Sequence, residues 1–373
     1  MNSFYRKYRP KKFSEIFGHE INAEILKNSA ILDRLNHAYL FYGERGTGKT
    51  TTARILAKVA NCQTRQSDLK FKEQGEPCNS CQACLNIDSG LSLDVVEIDA
   101  ASNRGIDEIR NLKESVRLTP SFLKYKTYII DEVHMLTSPA WNALLKTLEE
   151  PPAHALFILA TTEIDKVPTT IKSRVQKFLF GKLPKPLIIK KLENISSAEK
   201  IDIEQKALEF IAGLSEGSLR DAENLFDQIH SFSGQEKISL SKVESILGKA
   251  SLEKINSLLS LVFKKDPTLL EKINLLKNES CDIVQFNKDS ISYLGKLLSL
   301  KTNPKMEIIF KNTFSDNELE EMKTLISQFS LNDGLKLIKS LIEAHREMRY
   351  SPFAWVPFEV ALIEFIKEKD LLN

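Results

Sequence analysis

Long apolar runs are missing from this 373-residue chain. None approaches the roughly 20 consecutive apolar residues that a membrane-crossing helix needs, so no membrane role is expected. The basic start, MNSFYRKYRPKK, is not followed by the apolar core of a secretory signal. A cytoplasmic protein is the simplest expectation. Excess charge is missing too: 52 basic residues against 50 acidic ones leave +2. Such a balance neither argues for a nucleic-acid partner nor excludes one, because any contact would rest on local arrangement of basic groups or backbone N–H donors. Cysteine is scarce, with Cys62, Cys78, Cys81, Cys84 and Cys281 the full set. In a reducing compartment these thiols are not expected to form disulfides. What is present is 42% hydrophobic residues over a length too great for one ordinary core. Two or three domains are expected.

The most specific segment is GERGTGKT, Gly43 to Thr50, which fits G-x-x-x-x-G-K-[ST]. It follows an apolar run, Ala38 to Tyr42, and opens a helical pattern, TTARILAKVA. Strand, glycine loop and helix in that order form a phosphate-binding loop. Gly43, Gly46 and Gly48 let successive N–H groups turn inward toward phosphate oxygens, and the helix N-terminus adds partial positive charge there. Lys49 would reach the β- and γ-phosphates of ATP, and Thr50 would hold Mg²⁺. Glu44, Arg45, Thr47 and Thr51 complete the nucleotide cradle.

A second buried-strand run, Tyr128 to Ile130, ends in Asp131-Glu132. Carboxylates at a strand's C-terminal end lie where open α/β sheets bind ligands. Asp131 would organise Mg²⁺, and Glu132 would polarise the water that attacks the γ-phosphate. His134 follows closely and is expected to pack or hydrogen-bond rather than react.

Between these motifs lie Cys78, Cys81 and Cys84, spaced C-x2-C-x2-C, with Cys62 upstream. Four thiolates suit tetrahedral Zn²⁺, with three ligands from one turn and the fourth from the end of the preceding helix. An iron–sulfur cluster takes the same ligands, but no redox partner motif accompanies them, and zinc is favoured. A closed four-ligand site is structural. Cys281 is expected to be a small buried side chain in a helical segment.

EIDAASNRGIDEIR (Glu97 to Arg110), DEVHMLT (Asp131 to Thr137), NALLKTLEEPP (Asn142 to Pro152) and LATTE (Leu159 to Glu163) resemble the bacterial DNA polymerase III gamma/tau family, the AAA+ motors of sliding-clamp loaders. KYRPKKFSEIFGHE and EGSLRDA (Glu216 to Ala222) carry the same likeness, which covers residues 4 to about 250 with specific motifs. The resemblance implies an α/β AAA+ nucleotide domain over 1–180 with a zinc-binding insertion near 62–84. A helical lid over 181–248 and an all-α collar over 249–373 would follow.

The chain supports this division. Strand candidates at 38–42, 93–98, 127–131, 155–161 and 175–180 alternate with helical stretches, as a parallel doubly wound sheet requires. A helix is predicted from Pro139 to Glu150, with Ser138 as N-cap and Pro151-Pro152 as stop. After Pro184 amphipathic helices take over, and Gly248 with Ser251 suggests a second boundary. Leu252, Ile255, Leu258, Leu259 and Val262 make one helical stripe. That stripe reads as core packing; oligomerisation is what the resemblance adds.

The resemblance assigns further roles. Thr162, beside Thr161 at a strand end, would be the first sensor of the γ-phosphate. Arg220, just inside a helix begun by Ser218 with Asp221 as capping-box acid, would be the second. Arg174, in Lys172-Ser173-Arg174-Val175 at a strand start, would reach a neighbour's ATP as an arginine finger, with Val175 where the family carries cysteine. Tyr5, Arg9, Pro10 and Phe17 would surround the adenine.

The implied function is an ATP-hydrolysing clamp-loader subunit with no polymerase site of its own. Its implied partners are other loader subunits in a hetero-oligomeric, pentameric ring with several copies of this chain, the sliding clamp, and primer–template DNA. Another AAA+ remodelling or DNA-translocating ATPase and a non-hydrolysing loader scaffold are the alternatives. The cysteine knuckle argues against the first, and the intact Lys49 and Asp131-Glu132 against the second. The chain ends soon after AWVPFEVALIEFIKEKD, which resembles the last collar helix, so the family's longer C-terminal extension is not expected.

Overall fold

The computed structural model describes residues 3–102, 106–234, 236–247, 251–278, 281–311 and 313–367. They form two compact units. The first runs through Leu183 and takes in Gly217–Asn224; the second takes Pro184–Glu216 and the residues described from Leu225 on.

The first unit is built on five parallel strands: β1 (Ala38–Gly43), β2 (Val95–Asp99), β3 (Lys126–Asp131), β4 (Ala155–Thr161) and β5 (Gln176–Phe180). Their order across the sheet is β2-β3-β4-β1-β5. Strands β1, β3 and β4 are the three inner ones, and their apolar runs are buried on both faces, as a parallel sheet covered on two sides demands. The period of two sorts their side chains. Ala38, Leu40, Tyr128, Ile130, Phe157 and Leu159 pack on one face with Trp141, Leu144 and Leu148. Tyr39, Phe41, Ile129, Leu156 and Ile158 pack on the other with Leu26, Ile55, Leu56 and Val59. Because β4 separates β1 from β3, the glycine loop after β1 and the acidic end of β3 flank the end of β4.

The five predicted strands match within two residues at each end. One prediction is corrected. The helix Ser138–Glu149 has Thr137, not Ser138, as N-cap, with Pro139 still in its first turn. Ser138 already has helical backbone, because Pro139 needs only its own φ fixed, and that is satisfied at the second helical position as well as the first.

The second unit is helical among its described residues. Ile255, Leu258, Leu259 and Val262, the stripe read from sequence, are buried in the helix Leu252–Lys264 and join one core with Leu294, Leu297, Leu337 and Phe358. The boundary placed at Gly248 lies outside the described residues. Cys281 corrects a second expectation. It precedes the helix Ile283–Thr302, whose first turn is capped by the Asp282 carboxylate, and it is only partly buried against the helical core. The cap fixes the helix start beyond the cysteine. Among the described residues no helix is long and apolar enough to cross a membrane.

Candidate active site at the carboxyl edge of the sheet

Strand β1 ends at Gly43, where φ is +137°. A Cβ there would lie 2.0 Å from the Phe180 carbonyl oxygen, so glycine alone lets β5 close against the loop. Glu44 and Arg45 are exposed at the loop's tip, and the Thr47 hydroxyl donates to the Glu44 carbonyl at 2.8 Å. Gly46 has φ +74°, and an added Cβ would meet the Ser218 hydroxyl at 2.1 Å. Gly48, with φ +102°, caps the helix Lys49–Asn61, whose first turn carries Thr50 and Thr51. Lys49 is buried, and its ammonium donates to the carbonyls of Gly43 (2.8 Å) and Glu44 (2.6 Å). Burial pushes its pKa down, opposed by the charges of Glu132, Asp131 and Glu44.

The Thr50 hydroxyl donates to Asp131 at 2.7 Å, joining the glycine loop to the end of β3. Glu132 turns into the left-handed region at φ +47°, a conformation that costs a non-glycine residue about 1–3 kcal/mol. Its N–H donates to Asp131 at 2.9 Å, and its carboxylate accepts the Thr162 hydroxyl at 3.0 Å. Thr161 is fully buried, 2.9 Å from His134 Nδ1, and its hydroxyl oxygen accepts the Glu163 N–H at 3.0 Å. Lys49, Thr50, Asp131, Glu132 and Thr162 thus meet at one edge. The arrangement offers inward N–H groups, a buried cation, a hydroxyl–carboxylate pair suited to a divalent cation, and a second carboxylate held by a hydroxyl.

Arg220, second residue of the helix Leu219–Ser233, sends its N–H to the Gly46 carbonyl at 3.4 Å. Its guanidinium lies 4.9 Å from the Tyr5 ring centroid. The Ser218 hydroxyl accepts the Asp221 N–H at 3.3 Å, the cap read from sequence. Burial lowers the Arg9 pKa, and the charges of Arg54 and Arg220 lower it further. Tyr5, Arg9 and Arg220 therefore share one neighbourhood. Pro10 and Phe17 are half-buried in the same N-terminal segment.

Arg174 stands apart from these groups. A short helix, Thr169–Lys172, precedes it, so it does not begin a strand as expected; β5 starts two residues later. Its side chain is 35% exposed, pairs with Glu149 at 2.7 Å and donates to the Thr170 carbonyl at 2.7 Å.

The four cysteines do come together, with sulfur atoms all within 4.8 Å of one another. A tetrahedral site with bonds of about 2.3 Å places its sulfurs about 3.8 Å apart, so this cradle fits the ion. Cys62 follows the helix Lys49–Asn61 as expected. The other three do not share one turn: Cys81 caps the helix Gln82–Ser89 and Cys84 lies within it. A helix brings residues three apart to one face, which does the same work. N–H groups of Ser80 and Cys81 point at Cys78 sulfur (3.4 and 3.2 Å), and that of Cys78 at Cys62 sulfur (3.4 Å). The Cys62 thiol is pushed well below its usual value, chiefly by a hydrogen bond from the Cys84 thiol, whose own pKa is raised by the same bond and by burial.

Sequence reasoning missed several supports. Lys58, 1% exposed, pairs with Asp88 at 2.8 Å and Asn79 at 2.7 Å, fastening the glycine-loop helix to the cysteine module. Its signal was an ammonium inside the apolar stretch ILAKVA. Arg54 grips Glu97 with two bonds of 2.7 and 2.6 Å. His19 stacks edge-on against Phe180 and bonds to the backbone of Thr47; its pKa is lowered by burial. These last contacts are long-range pairings with no local pattern.

The sequence comparisons point to DNA polymerase III subunits. The family model described as "DNA polymerase III, delta subunit" matches residues 18–184, and that of the "DNA polymerase III clamp loader subunit, ATPase lid domain" matches residues 187–235. The chain is 41% identical over 366 residues to DNA polymerase III subunit tau of Bacillus subtilis, covering 97% of this chain and 62% of that protein. It is 35% identical to DNA polymerase III subunit gamma of Buchnera aphidicola subsp. Schizaphis graminum, covering 97% of both. Against subunit tau of Escherichia coli it is 36% identical, covering 96% of this chain and 54% of the other. The chain spans between about a third and three fifths of the three relatives with which the comparison begins (62%, 48% and 34%). A solved Bacillus subtilis clamp loader delta protein aligns at TM-score 0.45 and 16% identity over 92% of this chain and 99% of that one, too distant to carry an argument. On the sequence relatives alone, the chain belongs to the DNA polymerase III gamma/tau family.

Proposed function

We propose that this chain hydrolyses ATP as a motor subunit of the DNA polymerase III clamp loader, opening the sliding clamp and placing it on primer–template DNA. The observation that carries the reading is the convergence of Lys49, Thr50, Asp131, Glu132 and Thr162 at one sheet edge in a gamma/tau chain. In this reading the loop N–H groups of Gly43 to Thr51 take the phosphates. Lys49 exchanges the carbonyls of Gly43 and Glu44 for β- and γ-phosphate oxygens, and a buried ammonium gains most from such an anion. Thr50 and Asp131 would hold Mg²⁺, which would supply neutralisation of phosphate charge. Glu132 takes a proton from the attacking water while Thr162 holds its carboxylate. Arg220 senses the phosphate, and Tyr5, Arg9, Pro10 and Phe17 bound the base.

Arg174 acts in trans. Its solvent-facing pairing with Glu149, away from the chain's own glycine loop, suits a guanidinium that leaves one carboxylate to meet a neighbour's γ-phosphate. ATP can then order the ring, because the γ-phosphate makes contacts that its loss removes.

Cys62, Cys78, Cys81 and Cys84 hold a structural Zn²⁺ within the nucleotide domain, 1–180; a lid over 181–248 and a collar over 249–373 follow. The working assembly is a cytoplasmic, pentameric hetero-oligomer with several copies of this chain. The chain itself contributes no polymerase site. The test is ATP hydrolysis by the purified chain with and without loader partners, clamp and primed DNA. Stimulation by the full set is expected; no stimulation under any combination overturns the reading.

A further inference from the structure

The His134 side chain is 7% exposed and sits between the carboxylate that follows β3 and the turn that follows β4. Its Nδ1 lies 2.9 Å from the Thr161 hydroxyl and 3.4 Å from a Glu132 oxygen; its Nε2 lies 3.3 Å from a Glu163 oxygen. The Nε2 side of the ring thus faces the Glu163 carboxylate, an electrostatic contact. The Thr161 oxygen also accepts the Glu163 N–H, so the hydroxyl ties the ring to the backbone of the turn. Glu163 is also held by Lys166 at 2.9 Å.

The ring matters because of its neighbour in sequence. Thr162 is bracketed by the two residues that His134 engages, and its hydroxyl holds Glu132 at 3.0 Å. A shift of the Thr161–Glu163 turn therefore moves the donor on Glu132. Nδ1 also lies 3.4 Å from the Glu132 oxygen, so the ring sits directly beside that carboxylate.

We propose that His134 is a positioning residue for hydrolysis, locking the turn from which Thr162 holds Glu132. The inference rests on Glu132 serving as the base that activates water.

The test is steady-state ATP hydrolysis by the full chain, assembled with its loader partners, clamp and primed DNA, comparing His134→Ala, His134→Asn and His134→Gln. Glu132→Gln is the control. An asparagine amide can occupy the place of Nδ1 and bond to the Thr161 hydroxyl, whereas a glutamine amide reaches only the place of Nε2. The expected outcome is a kcat loss of about ten-fold or more for His134→Ala, with KM and the Kd of a fluorescent ATP analogue within about two-fold of the parent. The asparagine variant recovers most of the rate and the glutamine variant does not. An unchanged kcat in His134→Ala overturns the proposal. So does equal recovery by both amides, or a rise in KM and Kd that accounts for the loss. If His134→Ala fails to fold, the contrast between the two amides decides alone. Undiminished hydrolysis by Glu132→Gln would instead remove the reading beneath; an inactive Glu132→Gln beside an unaffected His134→Ala removes only the positioning role.

Discussion

Replacing Asp94 by asparagine should destabilise the first unit without touching the candidate site. Asp94 is 2% exposed and precedes β2. Its two oxygens accept the N–H groups of Ser121 (2.8 Å), Phe122 (2.8 Å) and Leu123 (2.9 Å) in the loop that leads into β3, and its carbonyl accepts the Thr127 N–H at 2.8 Å. Burial alone would raise its pKa, but the three N–H groups and the charge of Lys126 outweigh burial and hold it below the ordinary value. An asparagine keeps one acceptor oxygen and turns an amide donor toward N–H groups that cannot accept. At about 1.5–3 kcal/mol for each hydrogen bond to a charged group, losing one or two costs about 2–5 kcal/mol. The assay is urea unfolding followed by the fluorescence of Trp141, a core residue of this unit, in a Trp355→Phe background. A loss below about 1 kcal/mol would refute the reasoning, because surface substitutions fall within that range. The pH dependence has a fixed sign. A carboxylate whose folded pKa is depressed stabilises fully above its unfolded value of about 3.9 and loses that stability as pH falls through the lower folded value. The difference between parent and variant should therefore be flat at neutral pH and shrink below about pH 4.

Three further outcomes are expected. Thr162→Val removes the hydroxyl on Glu132 while keeping the shape, so kcat should fall about 10- to 100-fold with nucleotide affinity nearly unchanged, read by single-turnover hydrolysis beside direct binding. Purified protein should carry about one zinc per chain by elemental analysis, and Cys84→Ser should lose it, because a closed four-thiolate site tolerates no missing ligand. Lys58→Ala should uncouple the cysteine module from the glycine-loop helix, leaving Asp88 and Asn79 without their cation. Faster amide exchange across 76–90, with that of β4 unchanged, is the signature to measure.

Most of the sheet, and the places of Gly43 to Thr50, Asp131-Glu132 and Thr162 at its strand ends, were legible because their patterns are local. Tyr128 to Ile130 announce a buried strand by composition, Gly43, Gly46 and Gly48 announce a loop by conformational need, and Asp131-Glu132 sit at a strand end by adjacency. The clustering of the cysteines was legible because C-x2-C-x2-C is a tight spacing that metal sites favour. What stayed hidden joins residues far apart in sequence. The grip of Arg54 on Glu97, the support of Glu76 on the N–H groups of Phe13 and Ser14 (2.7 and 3.0 Å), and the loop staple at Asp94 are set by how the strands and helices pack. Charged residues in such places look like freely solvated ones until the fold brings their partners to them. Boundaries slipped where two adjacent residues could each serve, as with Thr137 and Ser138, or where a cap lay beyond the residue in question, as with Asp282 after Cys281.

The central claim, that ATP is cleaved at a seam with Lys49 from one protomer and Arg174 from the next, is tested most directly by mixing. Chains carrying Lys49→Ala and chains carrying Arg174→Ala are assembled separately, and then together, with loader partners, clamp and primed DNA. Each alone should lose about a thousand-fold or more in hydrolysis. Random co-assembly should restore about a quarter of the seams, where an intact glycine loop meets an intact arginine. Activity in the mixture that never exceeds the sum of the two separate assemblies would contradict the account.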